Sequence, residues 1–249
     1  MTNEPAGKLI KADRFSHLPD AAGKVVGGAL RDGRSPALFV TPLLRAPIWN
    51  APQLAARYHH QKKSWNEFRN GVKVTQIVEV SNQRAELTKE GESPRASPSG
   101  LLRYLDLDVM MCLAYNWTMT GERRIAREQS TLLRWMGYQS LDDAPWRELR
   151  ASVRRLASTD IVIYDEGADL AEIDPIRLVT KPQMEEGLGR GNKGWLTAGL
   201  SEDWCVALHE IGWRTVDMRP YVFLAQKNRE QGLARVIYLF LSSLRQSDG

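Results

Sequence analysis

The sequence predicts an α+β protein built on a winged helix-turn-helix, extended by β-hairpins and closed by C-terminal helices. Three observations predict it. Residues 105–165 run as helix, link, helix, turn, basic helix and then a β-strand that enters a hairpin. At about 100° per residue, the basic helix Pro145–Ser158 gathers Trp146, Leu149, Val153, Leu156 and Ala157 on one face, with Arg147, Arg150 and Arg154 in an adjoining stripe. The strand Ile161-Val162-Ile163 follows that helix at once.

Taken in order, residues 1–35 are polar, rich in Gly, Ala, Asp and Arg, and weakly periodic, which predicts a flexible N-terminal tail or loosely docked arm. Residues 36–98 form a second unit of strands, a short helix and a linker, packing on or beside the core. Ala37–Leu44 is apolar but broken by Pro42, which favours a strand over a helix. Pro52–Tyr58 predicts a turn or two of helix, and Lys73–Val80 a strand. Lys89–Gly100 combines proline, serine, glycine and charge, the composition of a linker.

Residues 99–249 hold the winged-helix domain. Leu105–Trp117 is apolar on nearly every face, so it belongs at the centre of a core, within one chain or shared with a second subunit. Arg127–Gly137 predicts a short helix, with Gly137 suited to a left-handed terminus. Asp142 or Asp143 is placed to cap the basic helix ahead of Pro145. Strands are expected at Asp160–Tyr164, Ile176–Thr180, Gly194–Ala198 and Trp204–His209, and helices at Asp217–Asn228 and Leu233–Leu244.

Composition bounds the function. The net charge of +4 in 249 residues leans only mildly towards anionic partners. Its distribution says more: between Glu90 and Thr180 every fixed positive charge is an arginine, whose planar fork of donors suits phosphates and guanine edges. A GC-rich genome would produce the same skew. Two cysteines, Cys112 and Cys205, are too few for a disulfide framework or a Cys-based zinc site, and two buried free thiols agree with a reducing cytoplasm. No secretory signal or membrane-length apolar run is present. His59 and His60 are adjacent and would point to opposite faces of a strand, while His17 and His209 stand alone, so no catalytic constellation, metal site or cofactor motif emerges.

Double-stranded DNA is therefore the expected ligand. Arg147, Arg150, Arg154 and Arg155 are its candidate contacts on the basic helix. Arg123, Arg124 and Arg127, just ahead of the second helix, are candidates for gripping the backbone. Arg190 and Lys193 tip a glycine-rich loop that departs from phosphate-binding spacing, and would touch DNA only as a hairpin tip. A solvated face whose arginines pair with Glu148 or the Asp142–Asp143 turn gives the same stripe, but the helix–turn–helix–strand order favours nucleic acid. The wing is acidic, with Asp165, Glu166, Asp169, Glu172 and Asp174, so it should be repelled by phosphates and face a partner protein or solvent.

Thr131–Gly137, and then Trp146-x2-Leu149-Arg150-x-Ser152-Val153-x-Arg155-Leu156-Ala157-Ser158-Thr159-Asp160-Ile161, resemble plasmid replication initiators of the Rep/RepA/TrfA type. So do Trp213-x3-Asp217-Met218-Arg219-x-Tyr221, Ala234–Ser243 and, more loosely, Ser35–Phe39. The resemblance spans about residues 99–245. It implies a protein that binds repeated origin sites through tandem winged helices, dimerises through the first, opens the origin and engages host replication proteins such as the helicase. Leu233–Leu244 matches the helix that opens the second winged helix, beyond which this sequence ends. A dimerisation or interaction module, or a repressor of its own promoter, are the alternatives.

Overall fold

A computed structural model describes residues 15–19, 21–55, 57–82, 98–136, 138, 143–180, 182–184, 194–227 and 232–244. The chain is α+β, with three antiparallel sheets among these residues. Helix α1 (Ala22–Arg31) leads into strand β1 (Pro36–Val40), short helices α2 (Thr41–Arg45) and α3 (Pro52–Ala55), and a hairpin of β2 (His60–Arg69) and β3 (Val72–Asn82). Helix α4 (Tyr104–Thr120) precedes β4 (Arg124–Glu128), α5 (Gln129–Trp135), α6 (Asp143–Ala157) and β5 (Thr159–Asp165). Then come β6 (Ile176–Arg177), β7 (Gln183–Met184), β8 (Trp195–Gly199), α7 (Glu202–Glu210), β9 (Trp213–Asp217), α8 (Met218–Lys227) and α9 (Gly232–Leu244).

The sheets tie distant segments together. β1 pairs with β9, β4 pairs with β8 and β8 with β7, and the largest sheet has the order β2-β3-β5-β6. β3 lies against the whole length of β5, from Asn82 opposite Thr159 to Gln76 opposite Asp165. Residues 36–82 are thus built into the same body as the basic helix rather than set beside it. At its centre is α4, whose Leu107, Met110, Met111, Leu113 and Ala114 are buried. The amide of Leu38 donates to Thr118 Oγ1 at 2.9 Å and fixes α4 across β1.

Several elements differ from expectation. The predicted tail is ordered from Ala22 to Arg31, because Ala22 and Val26 give that helix a buried apolar edge. The run at 37–44 changes from strand to helix at Thr41, where Pro42 fits the first turn of α2. A strand, β4, stands where the second helix was expected to begin, so α5 starts at Gln129. Trp204–His209 is helical, since Ser201 caps it by accepting the Trp204 amide at 3.1 Å and Trp204, Ala207 and Leu208 form one buried face. His209 accordingly lies in the last turn of a helix, not at a strand end. Beyond Arg177, the expected strand continues only as a single bridge from Val179 to Leu200. The linker at 89–97, Gly137 and Asp142 lie outside the described residues.

Candidate nucleic-acid interface

The arginine stripe sits on a helix that is buried almost all the way round. Trp146, Leu149, Val153 and Leu156 face the core as periodicity requires, and Ala151, Ser152 and Arg155 are buried as well. The solvent-facing sector of α6 is consequently narrow, and it carries Arg147 and Arg154 exposed with Arg150 half-buried beside them. Arg147 and Arg154 have no carboxylate partner among the described residues. Arg150 Nε donates to Gln129 Oε1 at 3.3 Å, so the first residue of α5 props the middle of the stripe. Tyr138 Oη donates to Glu148 Oε2 at 2.9 Å, which ties the link between α5 and α6 to the flank of α6. Arg134, exposed in the last turn of α5, adds a cation that sequence reasoning did not single out.

Arg155 does not belong to this surface. Its side chain is 0% exposed, and its Nε and Nη2 donate to Asp106 Oδ2 and Oδ1, each at 2.6 Å. Asp106 also accepts the Arg103 amide at 2.7 Å, closing the N-terminus of α4. A bidentate pair with this geometry offsets the desolvation that isolated buried charges suffer, and it bolts α6 to α4. Two residues on, Asp108 repeats the device. It accepts Tyr221 Oη at 2.7 Å and Arg235 Nη1 at 2.7 and 2.9 Å, so α4 also holds α8 and α9. Burial pushes the Asp108 carboxyl up to about 6, against the opposing pull of Arg235 and Tyr221. The signal for both sites was present: two aspartates, 106 and 108, in a helix otherwise apolar on nearly every side demand buried cationic partners.

The other candidates are scattered. Arg124 and Arg127 lie on β4 itself, exposed, with Arg124 Nη2 donating to Gln183 Oε1 at 3.2 Å and Arg127 Nη1 to the Ala126 carbonyl at 3.0 Å. Arg123 lies 3.7 Å from Glu202 in an exposed pair that contributes little. Arg190 and Lys193 lie outside the described residues. The acidic loop between β5 and β6 exposes Glu166, Asp169, Glu172 and Asp174, while Asp165 pairs with Arg69 at 2.8 Å.

No group of three or more metal-ligating side chains occurs among the described residues. Burial pushes the Cys112 thiol up to about 12 and raises that of Cys205, so neither is an activated nucleophile. No helix among the described residues is long and apolar enough to cross a membrane.

No family model matches the chain, and no curated protein matches it. Among solved structures, it is similar to domains 2 and 3 of RctB in a crystal structure of selenomethionine derivatives. The two are 12% identical with a TM-score of 0.52, over 82% of this chain and 73% of that one. A crystal structure of RctB domains 2-3 (RctB-155-483) is matched at 11% identity and a TM-score of 0.43, over 78% of this chain and 67% of that one. What is shared at such identity is the fold.

Proposed function

We propose that this chain is a DNA-binding replication initiator whose α4–β6 segment works as a winged helix, with α6 entering the major groove. The observation that carries this reading is the narrow exposed sector of α6, occupied by Arg147, Arg150 and Arg154. A helix buried on its remaining sides has one surface left to offer. Here that surface is cationic, and its two outer arginines, Arg147 and Arg154, lack carboxylate partners among the described residues. Similarity of fold to domains of RctB, a replication initiator, supports the same class. The order α4, β4, α5, α6, β5, loop, β6 and the antiparallel β5–β6 pair agree with a winged helix, although β4 pairs with β8 rather than with that hairpin.

In this reading the stripe contacts origin repeats, Arg124, Arg127 and Arg134 sit by the backbone, and the acidic loop is kept off the phosphates. A plasmid initiator of the Rep/RepA/TrfA type, acting in the cytoplasm to open an origin and engage host helicase, is the specific form that the sequence resemblance favours.

Mobility shift of the purified chain with repeated origin DNA, at several salt concentrations, tests this. Each phosphate that the protein no longer neutralises lowers the slope of log affinity against log salt by about 0.9. Replacing Arg147 and Arg154 by glutamine should therefore flatten the slope by up to about 2, in a protein of unchanged melting temperature. Salt-independent binding, or wild-type affinity in the double variant, overturns the proposal.

A second reading, a dimerisation or protein-interaction module, is favoured by one observation. Leu233, Ile237, Leu241 and Leu244 form an exposed apolar row along α9. Loss of DNA binding in the stripe variant with unchanged oligomeric state supports the first reading. Unaltered DNA binding in that variant, together with dissociation of a dimer by Ile237→Glu, supports the second.

A further inference from the structure

A cavity of about 590 Å³ opens between α2, β2, β9 and the end of α9, lined by residues other than those of α6. Its charges do not balance. Arg45, Arg69 and Arg214 line it with Glu67 as the one carboxylate among its lining residues. Glu67 is already taken twice, by Arg45 Nη1 at 2.6 Å and by a short contact from Arg69 Nε, and Arg69 has a second partner in Asp165 at 2.8 Å.

Arg214 is left over. It is half-buried, its Nη1 donates only to the carbonyl of neighbouring Trp213 at 3.1 Å, and no carboxylate pairs with it among the described residues. Burial and the adjacent Arg45 charge both pull its pKa downwards. The Nε atoms of Arg45 and Arg214 and the indole Nε1 of Trp65 are buried donors with no hydrogen-bond partner among the described residues. One uncompensated guanidinium, that of Arg214, and three unmet donors around one cavity are costly unless something negative occupies it.

The walls narrow the choice of anion. Trp65, Phe68, Phe240 and Leu244 line the same cavity, so its occupant has a flat or apolar body as well as a charge. The volume falls in the range of small-molecule sites, roughly 300–1,000 Å³. A phosphate monoester brings negative charge to Arg214 and acceptor oxygens to the unmet Nε donors of Arg214 and Arg45, while Arg45 keeps its pair with Glu67, and a nucleobase stacks on aromatic side chains.

We propose that this cavity is a site for a nucleoside monophosphate, the phosphate held between Arg45 and Arg214 and the base against Trp65 and Phe240. Isothermal titration of the full chain with AMP, adenosine and inorganic phosphate, at matched ionic strength, tests the assignment. AMP should bind saturably with one site per chain, at least tenfold tighter than either adenosine or inorganic phosphate alone. Arg214→Gln should lose AMP binding at least tenfold while melting at or above the wild-type temperature, since it removes a repelled charge. Phe240→Ala should weaken AMP while leaving inorganic phosphate unchanged. Absence of AMP binding, equal binding of inorganic phosphate, or wild-type affinity in Arg214→Gln overturns the proposal. Should that variant fail to fold, a crystal of the wild-type chain soaked in AMP decides: nucleotide density in the cavity supports the site, and an empty cavity ends it.

Discussion

Replacing Arg155 by alanine strands the Asp106 carboxylate in the interior. In the wild-type chain both groups are 0% exposed and joined by two hydrogen bonds of 2.6 Å. Once the guanidinium is gone, Asp106 retains the Arg103 amide at 2.7 Å, one neutral donor for a full charge. Removing one partner of a buried pair costs about 3–5 kcal/mol. That is a large part of the roughly 5–15 kcal/mol that stabilises a typical domain. For a chain of this size it lowers the melting temperature by about 6–20 °C. Calorimetry and urea unfolding measure it directly. The double variant Arg155→Met with Asp106→Leu should recover most of the loss, because a buried pair replaced by apolar side chains is often near neutral. The helix cap made by Asp106 is then missing at a cost of about 1 kcal/mol. A single Arg155→Ala variant that melts like wild type would refute the placement of Arg155 in the interior and return it to the exposed stripe of α6.

Two further outcomes follow from the same interior. Asp108, raised to about 6 by burial, keeps a proton in the folded chain at pH values where the unfolded chain, with a carboxyl near about 4, has released it. The folded state then binds more protons across that window, so the stability traceable to Asp108 is complete below about pH 4 and declines as pH rises through about 6. A difference of about two pKa units is worth about 3 kcal/mol. Urea midpoints of wild type minus those of Asp108→Asn should fall between pH 4 and pH 7, and a flat or rising difference contradicts the assignment. At Gly232 an added Cβ would lie 2.0 Å from Tyr104 Cγ, so Gly232→Ala should push α9 off α4 and cost about 1–3 kcal/mol by thermal unfolding. Pairing it with Tyr104→Ala should restore part of that loss, and no cost in the single variant argues against the close approach.

Local pattern carried much of the architecture. The 3.6-residue period placed α6 within two residues, although the helix already begins at Asp143, so Asp143 lies inside it and Pro145 is its third residue rather than its first, and the apolar Leu105–Trp117 run marked the central helix. Other local signals went unread. Asn70-Gly71, with positive φ at both residues, is the turn that joins β2 to β3, but β2 carries so few apolar side chains that alternation alone did not reveal an edge strand. Ser201-Glu202-Asp203 announced the N-terminus of α7 while the aromatic and β-branched residues after it suggested a strand. The site was legible only where it depends on a single helix. Arg147, Arg150 and Arg154 share a stripe by spacing, whereas the fate of Arg155 is settled by a carboxylate 49 positions away. The meeting of Arg45 with Arg214 in one cavity is likewise a product of tertiary pairing, brought about by the register of β1 on β9.

The two carboxylates of α4 also constrain how this sequence can drift. Asp106 and Arg155, and Asp108 with Arg235 and Tyr221, cannot be exchanged one at a time, because every single step passes through an interior with an orphaned charge. Divergent descendants should therefore retain each set intact or trade it wholesale for hydrocarbon, so that these positions co-vary even where the rest of the chain has lost all trace of common ancestry.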